Sequence, residues 1–427
     1  MERLSVSNFL SIKKAILELK RINIFIGPQA QGKSILSKLV YYFKEFPLGI
    51  VESAIEERTK RQFDSSAKDR FERIFPPYAW EGKAFLIVYD TPSYKIEIEN
   101  QKVGSRFKFS VTYTSSIGKA LVAARKTVRS EFDTSLRAGG SIARGPVAIS
   151  YVRQAIASSL LRDKLEQTIY VPAGRSFFAN LQKSLFSFIA SSIPIDYFIK
   201  EFGAIYENTR TGGITRQAAR TRPKGVDKIV EDLLCGSHEH LKGEDWIVGA
   251  RGRVNLSHAS SGQQEALPMA IVLSIWPYLA SAAFTRSFVI EEPEAHLFPF
   301  AQGQVVSLIA AAYNAPGNDG VFVITTHSPY ILTALNNLVQ ARNAASVANE
   351  KELLEIYKIV PKEQFIEFDD LAAYAVNEGG VTSILDAEYN LIQAHAIDGV
   401  SEYFASRFEK LLEIEAVAQD RMNMDLI

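Results

Sequence analysis

Four short stretches hold residue types whose spacing suits chemistry on phosphate. Gly27-Pro28-Gln29-Ala30-Gln31-Gly32-Lys33-Ser34 fits the pattern G-x-x-x-x-G-K-[ST]. The two glycines, Gly27 and Gly32, let the backbone close around phosphate oxygens, and the successive N–H groups, that of Gln31 included, bind anionic charge. Lys33 would reach the β- and γ-phosphates of a nucleotide, and the Ser34 hydroxyl would serve Mg²⁺. Further on, the hydrophobic run Ser287 to Ile290 delivers Glu291-Glu292 at its end. In that position Glu291 would hold the Mg²⁺ shell and Glu292 would polarise an attacking water. Ser260-Ser261-Gly262-Gln263 places hydroxyls and a glycine at a helix start, which serves equally as an anion site or as a simple N-cap. His327 follows an apolar strand, Val321 to Thr325, and is either an ordinary strand-end residue or part of the same site.

The elements around these stretches must bring them to one edge. Leu4 to Phe9, Ile16 to Leu19 and Ile22 to Ile26 read as strands, the last an apolar β-branched run feeding the glycine loop and then a helix. Residues 48 to 75 are charged and helical in pattern. Three β-rich runs follow, Ala84 to Tyr89, Tyr94 to Glu99 and Arg106 to Tyr113, which predict a small antiparallel sheet. Helical sequence over 116 to 165, broken at 137 to 141, leads to a returning strand at Thr168 to Pro172 and an aromatic helical stretch over 177 to 206. From 256 the pattern alternates: helix 262 to 283, strand 287 to 291, helix 300 to 313, strand 321 to 325, helix 329 to 339. Such alternation indicates a parallel sheet with crossover helices. Strand-like runs are expected at 355 to 360 and 364 to 368, then amphipathic helices with Val400, Phe404, Phe408 and Leu411 at helical spacing.

Composition bounds the classes. With 427 residues, 47% hydrophobic, and 48 basic against 48 acidic side chains, disorder and a charge-driven nucleic-acid coat are excluded as readings of the whole chain. The single cysteine, Cys235, rules out an intrachain disulfide. The first residues lack the order of a signal peptide, so a cytoplasmic compartment is expected. The stretch Ala266 to Phe284 carries no charge, but Pro268, Pro277, Ser274 and Ser281 make it a core helix rather than a membrane span.

Order and spacing carry the decision. A phosphate loop near the N-terminus, Ser-Ser-Gly-Gln about 230 residues later, paired carboxylates about thirty residues on and a histidine after the next strand resemble the ABC-type ATPase heads shared by SMC, RecF and OLD proteins. Ile290 to Leu297 together with Thr326-His327-Ser328-Pro329 is most similar to the OLD-like branch of AAA-type ATPases. The resemblance implies an α/β fold of the P-loop NTPase class: a mixed sheet with crossover helices, an antiparallel β subdomain and a helical insert. It implies ATP and Mg²⁺ as cofactors, hydrolysis of ATP, and an ATP-sandwich homodimer or higher homo-oligomer. Ser260 and Gly262 would then contact the γ-phosphate of a nucleotide held by the other subunit, and His327 would sense the γ-phosphate in its own. This chain has Glu291 where aspartate is usual and Ala259 where leucine precedes the signature serine. Arg175 is a candidate nucleotide-sensing arginine.

The expected organisation is an N-terminal lobe with the phosphate loop (1–46), a helical and antiparallel β insert (47–167), and a returning strand with aromatic helical segment and basic loop (168–255). A lobe with signature, paired carboxylates and histidine (256–345) and C-terminal strands and helices (346–427) complete it. No Asp-x-Asp occurs after His327, so the Toprim set of OLD nucleases is missing and no intrinsic nuclease is expected. The chain is similar in this to stand-alone ATPase subunits of anti-phage systems such as Septu and PARIS, which control a separate effector, a nuclease or toxin. The other reading is a repair or chromosome-maintenance ATPase that binds DNA directly. The basic run 210 to 228, with Arg210, Arg216, Arg220, Arg222, Lys224 and Lys228, is a solvated loop or a nucleic-acid contact. Cys235, His238, Glu239 and His240 read as a solvated loop rather than a zinc site.

Overall fold

The computed structural model describes residues 2–137, 165–181, 195–210, 213–250, 252–279, 284–393, 406–412 and 415. Strands β1 (Glu2–Phe9) and β2 (Ile12–Leu19) bury alternate residues, whereas β3 (Ile22–Ile26) is buried on both faces. Period-2 burial marks a strand with one face in a core; a continuous apolar run marks one covered on both sides. Helix α1 (Lys33–Ile55) leaves the phosphate loop, and α2 (Lys60–Ile74) restarts from a capping box between Thr59 and Gln62. The strands β4 (Phe85–Asp90), β5 (Lys95–Val103) and β6 (Arg106–Tyr113) form a meander ahead of α3 (Ser115–Arg137). Strand β7 (Leu165–Val171) returns, followed by α4 (Phe177–Leu181), α5 (Tyr197–Arg210), α6 (Gly213–Ala218) and α7 (Lys224–Leu234).

A separate small sheet comprises β8 (Ser237–Leu241), β9 (Glu244–Gly249) and β10 (Gly252–Asn255). Helix α8 (Ser261–Ile275), β11 (Phe284–Glu291), α9 (Pro299–Tyr313), β12 (Phe322–Thr326), α10 (Pro329–Val347) and α11 (Glu350–Ile359) come next. Then β13 (Leu371–Asn377) and β14 (Gly380–Ser383) form a hairpin.

Among the described residues the main sheet has eleven strands in the order β6-β5-β4-β1-β2-β14-β13-β3-β12-β11-β7. Its β13-β3-β12-β11-β7 half is parallel and its β6-β5-β4-β1-β2 half antiparallel. The sheet divides two cores, and side-chain alternation assigns residues to each. Ile22, Ile24 and Ile26, with Phe288, Ile290, Phe322 and Ile324, face the core filled by α8, α9 and α10. Phe25, Val289 and Val323 face the other, filled by α1, α2 and α3. That second core is aromatic: Phe9 packs edge-on to Phe75 and Phe85 at 5.1 and 4.7 Å, and Phe43 stacks on Tyr89 at 4.8 Å.

Several expectations need correction. The β4–β6 strands are no separate sheet, because β1 pairs with β4, Ser5 opposite Val88, and makes them continuous with the main one. Residues 355–360 are the end of α11 and Val360, whose helix is held by a capping box between Asn349 and Glu352. Residues 364–368 are irregular, with a short 3-10 turn beginning at Phe368; the strand comes later, at Leu371. The basic segment is mostly helical among the described residues: α6 and α7 lie in it, with Arg220 and Arg222 in the turn between them, and the amphipathic α7 buries Val226, Ile229 and Leu233. In the Cys235–His240 stretch, Cys235 caps the end of α7, and His238 to His240 lie in β8, which pairs with β9, rather than in a solvated loop.

Helix α8 stops at Ile275, where Trp276-Pro277-Tyr278 turns 3-10, short of the expected 283. It is apolar all round because it is buried all round. No helix among the described residues is long and apolar enough to cross a membrane. The break at 137 to 141, and Phe186, Phe188, Val400 and Phe404, fall wholly or largely outside the described residues, while Phe408 and Leu411 lie on an exposed helical stretch.

Candidate functional site

Parallel pairing brings the expected residues to one edge. Ile26 of β3 is paired with Thr326 of β12, and Glu291 of β11 with Thr325. The chains leaving these strands therefore carry Gly27, His327 and Glu292 side by side, at the carboxyl end of an open α/β sheet where ligands bind.

The loop's glycines are sterically required. At Gly27, φ 154°, a Cβ would lie 2.2 Å from the Val376 carbonyl oxygen of β13, and at Gly32, φ 103°, one would lie 2.4 Å from Ile12 Cδ1. The β13–β14 hairpin thus supports the loop from behind, and the Gln31 side chain accepts from the Glu378 N–H at 2.8 Å. Ser34 is exposed, whereas Lys33 is buried. Lys33 Nζ donates to the Gly27 and Pro28 carbonyls at 2.8 and 2.7 Å and lies 3.3 Å from His327 Nδ1. Burial pulls this ammonium below the ordinary lysine value, against the opposite pull of Glu292 and Glu294.

His327 Nε2 is 3.2 Å from Glu292 Oε1, which completes a chain Lys33–His327–Glu292. An ammonium can only donate, so His327 Nδ1 accepts and, in the neutral ring, Nε2 carries the proton and donates to the carboxylate. Glu292 leaves β11 with φ 43°, a left-handed conformation costing a residue with a Cβ on the order of 1 kcal/mol. Its N–H still donates to Thr325 O at 2.9 Å. Glu292 keeps 40% of its side chain exposed, so water reaches it.

Glu291, by contrast, is buried, and among the described residues its Oε1 has no hydrogen-bond partner. A buried carboxylate oxygen without a donor is costly unless a cation serves it. Glu291 and the exposed Ser34 hydroxyl both offer oxygen, the donor chemistry that suits a hard cation such as Mg²⁺ retaining several waters. The residues present fit the ion. Tyr170 adjoins this carboxylate; burial first, and Glu291 next, push its hydroxyl well above the ordinary tyrosine value.

The turn Ser260–Gln263 has a capping box: Ser260 Oγ accepts from the Gln263 N–H, and the Gln263 side chain accepts from the Ser260 N–H. Gly262 sits against the loop after β11, where an added Cβ would be 3.0 Å from His296 O. Ser260 and Ser261 are exposed, and among the described residues no hydrogen bond joins this turn to residues 27–34.

Arg175 is not free to sense a nucleotide. It is fully buried, and its guanidinium donates to the carbonyls of Pro172, Glu265, Glu291 and Glu292. Glu265 answers by accepting from the backbone N–H groups of Arg175 and Ser176 at 2.9 and 3.0 Å. This pair ties β7, α8 and the end of β11 together under the site. Sequence reading missed Glu265, yet a lone charge entering a stretch without charges had to be paired. It also missed Glu294, whose Oε1 accepts from Thr326 Oγ1 and the His327 N–H, both at 2.7 Å, and so sets the histidine loop.

The large mixed sheet, with a glycine loop between β3 and α1, is an α/β fold consistent with the P-loop NTPase class. The family described as "AAA domain, putative AbiEii toxin, Type IV TA system" matches residues 22–333, more than half of the chain, and the protein belongs to that family. No curated protein matches it. Among solved structures the chain is similar to an SMC head bound to the C-winged helix domain of ScpA, at 12% identity and TM-score 0.41 over 90% of this chain and 98% of that one. The SMC head domain from Thermotoga maritima matches at 11% and 0.36 over 90% and 97%. The recombination mediator RecF of the RecFOR pathway matches at 12% and 0.29, again over 90% and 97%.

Proposed function

We propose that this chain binds and hydrolyses ATP in a two-fold dimer, in which the Ser260–Gln263 turn of each subunit completes the phosphate site of the other. The observation carrying this reading is the Lys33–His327–Glu292 chain, which joins a phosphate-binding lysine to a solvent-reached carboxylate. The loop N–H groups and Lys33 would hold the β- and γ-phosphates. His327, donating to one oxygen of Glu292, orients the carboxylate so that its other oxygen can accept a proton from water. As that water bonds to the γ-phosphorus, the bond to the ADP oxygen breaks and ADP leaves with the electron pair. Mg²⁺, held by Ser34 and Glu291, supplies neutralisation of phosphate charge when bound. The outward-facing Ser260 turn supports the composite site, because it is open to a partner and unattached to its own loop.

We further infer that the dimer serves as sensor or scaffold of a bacterial anti-phage complex and governs a separate effector. The family's description, which sets an AAA domain beside a toxin system, supports that reading. Glu292→Gln should retain ATP and accumulate a dimer in light scattering with ATP and Mg²⁺, and adding Ser260→Arg should return the monomer. No ATP-dependent change of mass in Glu292→Gln would remove the composite site.

A further inference from the structure

Two sequence features remain unused by this mechanism, the arginines of 210 to 228 and the paired histidines of β8. The fold brings them to one cleft of about 470 Å³ between α5, α6, α7, β8 and α8. Arg210, Arg216, Arg222, His238 and His240 line it, with Ile271 and Ile275 of α8 as an apolar wall.

The cleft is built around a buried carboxylate. Asp245 is fully buried, and its Oδ1 lies 2.9 Å from His238 Nε2 and 2.8 Å from His240 Nδ1. Its Oδ2 accepts from Tyr206 Oη at 2.6 Å and Arg210 Nη1 at 2.8 Å. Burial pushes this carboxyl up, but the hydrogen bond from His238, the charge of Arg210 and the Tyr206 hydroxyl outweigh it and hold Asp245 well below the ordinary range. An ionised carboxylate only accepts, so both histidines turn an N–H toward it. In the neutral rings His238 Nδ1 and His240 Nε2 are then lone-pair acceptors, fixed in orientation by Asp245.

The arginines differ in commitment. Arg222 is bound to Asp227 at 2.5 Å and to Ser274 O at 3.1 Å, and Arg210 Nε is a buried donor without a partner. Arg216 is exposed and makes no hydrogen bond or ion pair among the described residues. A planar guanidinium with every donor free suits a phosphate, imidazole lone pairs suit hydroxyl groups, and the apolar wall suits a flat ring.

We propose that this cleft is a second ligand site, distinct from the phosphate loop, for a small phosphomonoester of the nucleoside monophosphate class. The phosphate would lie on Arg216 and the sugar hydroxyls on His238 and His240. A polynucleotide is disfavoured because Arg210 and Arg222 are turned inward by Asp245, Asp227 and the Ser274 carbonyl instead of tracking an open surface. The cleft shares α8 with the Ser260 turn, and Gln263 Nε2 donates to Leu234 O at the end of α7, so α7 ends and α8 begins at that turn.

The test uses the full chain carrying Lys33→Ala, which removes the phosphate loop as a competing site. Calorimetric titration with the four ribonucleoside monophosphates, inorganic phosphate and a twelve-nucleotide oligothymidylate separates the sources of phosphate. At least one monophosphate should bind, Arg216→Ala should weaken it about tenfold or more, and Arg216→Lys should recover part of the loss. Because Arg216 is exposed and unpaired, the variants should melt with the parent. Absence of binding by every monophosphate and by phosphate overturns the proposal, as does affinity unchanged by Arg216→Ala. Binding of the oligonucleotide alone, lost in Arg216→Ala, would make the segment a nucleic-acid contact instead.

Discussion

Two glutamates show how the same side chain is put to different use within one site. Glu265 is buried and saturated: two backbone N–H groups and the Arg175 guanidinium surround it. Glu292 follows the strand that Arg175 clamps, but it stands in a left-handed turn, half-exposed, with His327 as its protein partner. A carboxylate whose lone pairs are all engaged is a fastener, while one with an oxygen left to water can take a proton. Under the proposed function, burial and saturation, not charge or neighbourhood, separate the glutamate that holds from the one that would react.

The largest effect should come from the reactive member. Glu292→Gln keeps the shape and the bond to His327 but cannot accept a proton, so ATP turnover should fall roughly 10²–10⁴-fold while ATP affinity remains. Lys33→Ala should instead abolish ATP binding itself. Parallel steady-state assays and calorimetry distinguish them, and normal turnover in Glu292→Gln would end the comparison.

The fastening member should act on stability. Arg175→Ala leaves Glu265 buried and unpaired and frees the carbonyls of Glu291 and Glu292, so unfolding by denaturant should become easier by about 3 kcal/mol or more. Replacing Arg175 and Glu265 together by Met and Leu should recover only the part of that loss due to the orphaned charge, because the carbonyls and the Arg175 and Ser176 N–H groups stay unpaired. A single variant as stable as the parent would mean that the pair holds nothing.

A third glutamate sharpens the contrast at smaller scale. Glu45 of α1 is buried and accepts from the Thr168 N–H at 2.6 Å; burial pushes its carboxyl up to about 7, with that hydrogen bond and Arg70 pulling the other way. Its folded value lies above its unfolded one, so its contribution is fully present below the unfolded value of 4.5 and is lost as pH rises through about 7. Glu45→Gln should therefore gain stability relative to the parent as pH is raised across that window. Melting curves at pH 5 and pH 8 check this, and a constant difference between the two chains would refute it.

The candidate residues were legible because each motif lies in a short stretch of sequence. The phosphate loop, the Glu291-Glu292 pair, the Ser260 helix start and His327 are each set by a few neighbouring residues, and the alternation from 256 onward announces a parallel sheet. That these stretches meet follows from β12 lying between β3 and β11, an outcome of pairing between strands about 300 residues apart (β3 with β12) as well as between near neighbours in sequence (β12 with β11). What local pattern did not show were the buried supports. Glu265, Arg175 and Glu294 sit in stretches whose periodicity says nothing of their partners, and Arg210 and Arg222 look solvated until Asp245, Asp227 and Ser274 O are packed against them. Sequence spacing determines which groups can react, because reactivity needs particular residue types at particular offsets. Tertiary packing decides which charges are spent in holding the fold, because desolvation depends on everything else that closes around them.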